Sequence, residues 1–357
     1  MQMEDTGSIM SFSINADSEH RKIRLERPPY HLRVAYFISV WSFKAAISIG
    51  LRARRLFSRR SPNLVRPQVK SYPVRPSLKN RIFRPEGSRS ESLPLYLDVH
   101  GGGWAVADPE VDDEFCSFIA QKFNIIVVSV DYRKAPIWKF PYAVGDITAI
   151  ADAVIRDESL HIDSRKVSIG GFSAGGNLAF AASQMEILEG RIAGLIGFYP
   201  CLDLTESLEE KLKRRPKGVG TDLLESSANF LDWAYVPYGV DRRDPLLSPK
   251  WAKREDLPQY VYLVGAEYDM LCYEANQMAE SLAEPEFERK HIQGLPAKDG
   301  WEQGGIRWEC ARGKQHAFAE VQMQGQKEIE RLKTVNEMYS RVGEWLNKKV
   351  WANELGD

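Results

Sequence analysis

The residues best suited to chemistry are Gly171-Phe172-Ser173-Ala174-Gly175-Gly176. A serine with glycines two places to either side, set between an apolar β-rich run and a helical period, is the pattern of a sharp strand-to-helix turn. Such a turn lifts the hydroxyl clear of its own backbone. The helix that follows aims its N-terminus at the same point, where developing negative charge is favoured. A glycine-rich packing turn would share this local pattern, but a second feature argues for chemistry. His100-Gly101-Gly102-Gly103-Trp104 closes the run LPLYLDV upstream. Without Cβ atoms in the way, the backbone N–H groups of Gly102 and Gly103, with that of Ala174, form the expected oxyanion hole for acyl transfer. His100 reads as an anchor of this loop. No G-x-x-x-x-G-K-[ST] or G-x-G-x-x-G pattern accompanies the glycines, so a phosphate loop is not expected.

A serine hydroxyl becomes a nucleophile when a base takes its proton and an acid orients the base. Two histidines follow Ser173, His291 and His316. His316 stands in GKQHAF, after the apolar-leaning IRWECARG, where a loop after the last strand belongs. His291 lies in a charged segment with no strand ahead of it. His316 is therefore the expected base. Asp269 ends QYVYLVGAEY and is the expected acid. Asp203, at the end of FYPCLD, is the alternative, and Glu267 points the other way along its strand. An Asp at such a junction is otherwise a helix cap. In the expected cycle, His316 takes the Ser173 proton as the hydroxyl attacks a carbonyl, Asp269 holds the imidazole tautomer, and water releases the acyl-enzyme. This chemistry asks for no metal and no organic cofactor.

These groups need a scaffold to converge. LPLYLDVH, NIIVVSVDY, KVSIGGF, RIAGLIGFY and QYVYLVGAEYD are dense in β-branched, Leu and Tyr residues, as strands buried on both faces should be. Helical stripes lie between and after them: Val144 to Ile155, Leu178 to Met185, and Ile329 to Trp345. The alternation predicts an α/β fold, a mostly parallel sheet with helices on both faces. The stretch 205–251 breaks the rhythm and carries Phe230, Trp233, Tyr235 and Tyr238, which suits a pocket roof. Residues 34–50 read as a helix lying on another surface. Residues 58–92, rich in Pro, Arg and Ser, read as a connector.

Composition sets the outer bounds. The chain has 357 residues, 43% apolar and 27% charged, as a folded protein with a large core should. That balance excludes a wholly disordered or collagen-like chain and a polytopic membrane protein. The net charge of −1 gives no reason to expect a nucleic-acid partner. It hides an asymmetry: residues 1–90 carry 18 Lys+Arg against 6 Asp+Glu, and the remainder 30 against 43. The basic arm either docks on the acidic body or makes peripheral contact with an anionic membrane, and the sequence leaves both open. Cys116, Cys201, Cys272 and Cys310 form no C-x-x-C pair, which fits a reducing, cytoplasmic setting. The first twenty residues hold no apolar run, so no cleavable signal peptide is expected.

With these pieces in order, the chain resembles the hormone-sensitive-lipase-like branch of the α/β-hydrolase superfamily, which includes plant and microbial carboxylesterases. The matching segments are DVHGGGW, DYRKAPIWKFPYAVGDI, DSRKVSIGGFSAGGNLA, GAEYD with Glu274 behind it, and HAF. The resemblance implies an eight-stranded, mostly parallel sheet under a helical cap. The cap would come from a basic arm (1–92) and an insertion (205–251), with the catalytic domain in 93–204 and 252–357. It also implies that Arg133 and Asp146 are a structural pair beside the elbow. Phe172, where the family usually has Asp or Thr, Ile137, where Glu is common, and the stretched segment 284–313 depart from the pattern. The expected function is a serine hydrolase cleaving a small or medium apolar carboxylic ester. The alternative is an amidase, lactonase or acyl-transfer or cyclisation enzyme of specialised metabolism. A ligand-binding relative, on the pattern of the gibberellin receptors, would tend to lack the histidine that stands here at 316.

Overall fold

The computed structural model of the chain describes residues 22–24, 27–57, 64–87 and 92–352. Among the described residues ten strands make one sheet. They are β1 (Gln68–Tyr72), β2 (Arg75–Phe83), β3 (Leu93–Val99), β4 (Ile126–Val130), β5 (Ile162–Phe172), β6 (Gly194–Phe198), β7 (Tyr260–Ala266), β8 (Lys290–His291), β9 (Gly300–Gln303) and β10 (Ile306–Ala311). Their order is β1-β2-β4-β3-β5-β6-β7-β10-β9-β8. Neighbours from β4 across to β10 run parallel, so their C-terminal ends share one edge. The five runs read from the sequence are β3 to β7.

The eight α-helices among the described residues are α1 (Tyr30–Phe57), α2 (Asp113–Phe123), α3 (Tyr142–Ile155), α4 (Ala174–Ser183), α5 (Leu208–Lys213), α6 (Ala228–Tyr235), α7 (Cys272–Leu282) and α8 (Gln326–Leu346). One core holds the inward stripes of α3, α4 and α7. A second, on the other face of the sheet, holds those of α2 and α8. Val144, Ile147, Ile150 and Val154 are buried along α3 as their spacing predicts. Each such side chain, fully buried, contributes about 1.5–3 kcal/mol. The α8 stripe is buried only from Val335 onward, while Ile329 and Leu332 face solvent.

Two expectations need correction. Residues 68–83, within the stretch read as connector and arm, form the antiparallel hairpin β1–β2, which joins the sheet through β2 and β4. Only alternate residues of β2 (Leu78, Asn80, Ile82) are buried in its middle. Lys79 and Arg81 between them, with Ser77 before, mask the strand in a composition reading. The sheet also has ten strands, not eight. The charged segment before the last parallel strand folds as β8 and β9, which extend the sheet: β9 pairs antiparallel with β10, and β8 antiparallel with β9. Trp301 on β9 sits in register with Trp308 on β10, and both are buried.

The roof covers the C-terminal edge of the parallel strands. Helix α1 packs on α6, with Tyr36 beside Trp233 and the edge of Phe43 against Phe230, ring centres 5.6 Å apart in the second pair. The backbone of Ile23 pairs with the insertion, through the Asp241 carboxylate and the Arg242 N–H. The residues before 22 in the proposed basic arm lie outside the described residues.

Candidate active site

Ser173 sits at the tip of the turn between β5 and α4, with φ 53° and ψ −119°. This left-handed backbone is costly for any residue with a Cβ, and close packing holds it in place. A Cβ on Gly171 would lie 2.3 Å from the Val99 carbonyl oxygen, and one on Gly175 would lie 1.9 Å from it. Both glycines are therefore required by the approach of β3. Phe172 faces away from the site, stacked on Phe198 at 4.5 Å with its edge to Phe115. The departure at this position is thus taken up by the core on the far side of the sheet.

The structure brings Ser173, His316 and Asp269 together. The His316 ring lies between the other two, with Nε2 2.8 Å from Ser173 Oγ and Nδ1 2.6 Å from Asp269 Oδ2. An ionised carboxylate only accepts, so Nδ1 carries the proton and Nε2 is left to receive one from the hydroxyl. Asp269 is buried, and its other oxygen accepts the Leu271 N–H at 2.9 Å. Burial alone would push the His316 imidazolium down. The charge and hydrogen bond of Asp269, with Glu320 and Asp222 beyond, outweigh it and hold the ring above its usual pKa.

The other sequence candidates lie elsewhere. Asp203 is engaged by Thr205 and by Lys250 at 2.8 Å, at the mouth of the insertion. Glu267 accepts the Gly313 N–H and pairs with Arg312. His291 is exposed on β8 at the sheet margin. His100 is buried, stacked on Tyr132 and held by the Gly101 carbonyl at 2.7 Å. The Arg133 guanidinium clasps both oxygens of Asp146.

Gly101, Gly102, Gly103 and Ala174 line the same cavity as Ser173 and His316. The loop is set by a turn in which the N–H groups of Ala105 and Val106 both bond to the Gly102 carbonyl. Gly102 has φ 113°, and a Cβ there would lie 2.4 Å from the Val106 carbonyl oxygen. Trp104 stacks on Tyr235 of α6 at 4.5 Å, and its indole N–H donates to Asn177 of α4. Lys44 of α1 donates to the carbonyls of Ala105 and Ala135, tying the roof to the same loop.

Several contributors escaped the sequence reading. Asp222, in the insertion, accepts the Met270 N–H at 2.8 Å and pairs with Arg215, which itself donates to the Tyr268 carbonyl. The insertion thus grips the loop that carries Asp269 from both sides. Tyr199 sets its ring edge against His316 and donates to Glu320 at 2.7 Å. Glu320 lies four residues after His316, on the cavity wall. That spacing was visible, but nothing local in it marks an acid aimed at an imidazole. Near the glycine loop Asp98 is buried, which pushes its carboxyl up to about 7.

The cavity over these groups holds about 1300 Å³. Phe43, Ile47 and Leu51 of α1, Phe230 and Leu231 of α6, and Leu224 give it an apolar wall. It is larger than the ~300–1,000 Å³ of most small-molecule pockets.

A family model described as the alpha/beta hydrolase fold matches residues 96–294. The chain is 29% identical over 233 residues to versiconal hemiacetal acetate esterase of Dothistroma septosporum, a match covering 61% of this chain and 70% of that protein. It is 34% identical over 185 residues to ethyl acetate hydrolase of Pseudomonas putida, covering 48% of this chain and 55% of the relative, about half its length. Among solved structures, the esterase of Pyrobaculum calidifontis superposes with a TM-score of 0.65 at 25% identity, over 89% of this chain and 94% of that one. With the order of its motifs, its sheet and these matches taken together, the chain belongs to the alpha/beta hydrolase fold family, in its hormone-sensitive-lipase-like carboxylesterase branch.

Proposed function

We propose that the chain hydrolyses carboxylic esters, with Ser173 as nucleophile, His316 as base and then acid, and Asp269 as the group that orients His316. The observation that carries this reading is the pair of hydrogen bonds through one ring, 2.8 Å to the hydroxyl and 2.6 Å to the carboxylate. The Ser173 proton passes to Nε2 as Oγ attacks the carbonyl carbon. The Asp269 carboxylate stabilises the imidazolium that results. The N–H groups of Gly102, Gly103 and Ala174 hold the oxyanion, and each such donor lowers the barrier by about 3 kcal/mol. Collapse expels the alcohol with the proton from Nε2. Water, deprotonated by the same nitrogen, then frees the acid.

A small ester would leave most of a 1300 Å³ cavity unfilled. The apolar wall favours an ester with a bulky lipophilic acyl or alcohol part, larger than composition and motifs alone led us to expect. The test is labelling by a fluorophosphonate probe, followed by a p-nitrophenyl ester series of increasing acyl length. Labelling by the wild type, lost in Ser173→Ala and His316→Ala, with kcat/KM down about 10⁶-fold in both variants, is expected. A folded wild type that neither labels nor turns over any ester overturns the proposal. An optimum at acetate would overturn a bulky acyl part alone, and equal turnover of acetates of small and large alcohols would then overturn a bulky alcohol part.

A further inference from the structure

Helix α1 has two working faces. Its inner face packs on α6 and lines the cavity through Phe43, Ile47 and Leu51. Its outer face carries Val34, Phe37, Ile38, Trp41 and Ile49, all exposed, with Phe37, Ile38 and Ile49 more than half accessible. Phe37, Ile38 and Trp41 lie three, four and seven residues after Val34, and Ile49 eight after Trp41, which keeps them on one stripe, as in a helix that buries that side. The helix is long and apolar enough between Tyr30 and Ala53 to cross a bilayer. Two features argue that it lies flat instead. Val40 is wholly buried, and the amine of Lys44 is held by the carbonyls of Ala105 and Ala135. A spanning helix would have to strip both from the body and leave that amine in hydrocarbon.

The charge around this stripe says what covers it. From Arg27 to Phe57 the chain carries 6 Lys+Arg and no Asp or Glu. Arg52 is exposed one turn beyond Ile49, on the same stripe. An apolar stripe on a helix that carries cations and no acid complements an anionic lipid surface, where each Lys or Arg adds to the attraction.

We propose that the outer face of α1 docks on an anionic phospholipid surface, with the helix axis in the plane of the interface. The cavity then lies one helix thickness, about 10 Å, beneath the lipid. If the ester-hydrolase reading holds, a lipophilic ester reaches Ser173 from the membrane and not from bulk water. The docking itself does not depend on that reading.

The experiment is co-sedimentation of the full chain with sucrose-loaded vesicles, either phosphatidylcholine alone or phosphatidylcholine with phosphatidylserine. Wild type and Ile38→Asp/Trp41→Asp are compared, with hydrolysis of a short soluble ester followed in parallel. Binding to the phosphatidylserine vesicles should exceed binding to phosphatidylcholine by about tenfold or more and weaken with added salt. The double variant should bind about tenfold more weakly or worse, because two buried apolar contacts become anions. It should keep its soluble-ester activity, since neither residue lines the cavity. Equal binding by variant and wild type, or none by either, overturns the proposal. So does a chain that resists carbonate extraction, which would span the bilayer, or a dimer without lipid binding that the variant dissolves. Vesicle binding by a wild type that cleaves no ester would leave docking intact and remove the hydrolase reading alone.

Discussion

The serine turn and the roof above it are held by different means. At the turn the constraint is steric and lies in the backbone, where β3 leaves no room for a Cβ at Gly171 or Gly175. The roof is joined by the tips of side chains. Lys44 reaches two carbonyls, Arg215 and Asp222 reach the acid loop, and Arg242 reaches Leu204 and Asp232. A steric constraint admits one residue type. A tie made by a long polar side chain needs only reach and a donor. The turn should therefore fail outright when altered, and the roof should fail by degrees.

The largest break is expected at Gly175→Ala. The added methyl group collides with main chain, not with a side chain that could move, and the loss should exceed about 4 kcal/mol. Soluble yield and thermal unfolding measure it, and a variant as stable as wild type would show that β3 can shift. Next comes Asp269→Asn, which keeps the shape and presents the wrong tautomer to His316. A fall in kcat of about 10⁴-fold with an unchanged melting temperature is the expected result. Asp222→Ala should sit well below it. The acid loop loses one of its grips, and a displaced orienting group costs roughly ten- to a hundredfold in kcat. If KM rises alone, the roof shapes the pocket without steadying the acid.

The smallest effect concerns pH. In the proposed mechanism His316 must be neutral to accept the proton, and its pKa is held above the ordinary value. The acid limb of kcat/KM should therefore fall at a pH above the unperturbed ~6.5. Part of the upward shift comes from the Glu320 charge. Glu320→Gln should move the limb to lower pH. A limb that stays in place would mean that Glu320 is already neutral beside Tyr199.

The same contrast explains what could be read in advance. Strands β3 to β7, the serine turn and the glycine loop announce themselves, because burial on both faces and the loss of Cβ space each demand particular residue types. His316 and Asp269 followed from chain order once the strands were placed. The hairpin β1–β2 was hidden, since a strand wet on one face and rich in Arg and Lys looks like a linker. Strands β8 and β9 were hidden in a charged segment whose anchor is one cross-strand tryptophan pair. Asp222 and Glu320 could not be found at all. Asp222 acts across the fold, and sequence distance carries no trace of a carboxylate reaching a loop 48 residues away, while Glu320, four residues after His316, has nothing local to mark it as aimed at the imidazole.

The grip of Arg215 and Asp222 on the acid loop bears on how such an enzyme could be remodelled. A roof that only covered the cavity would be an exchangeable module, and a new specificity could be grafted by replacing 205–251 wholesale. Here the graft would also remove two supports of the acid. A successful chimera must carry an equivalent pair at those two positions, so pocket shape and catalytic competence are inherited together.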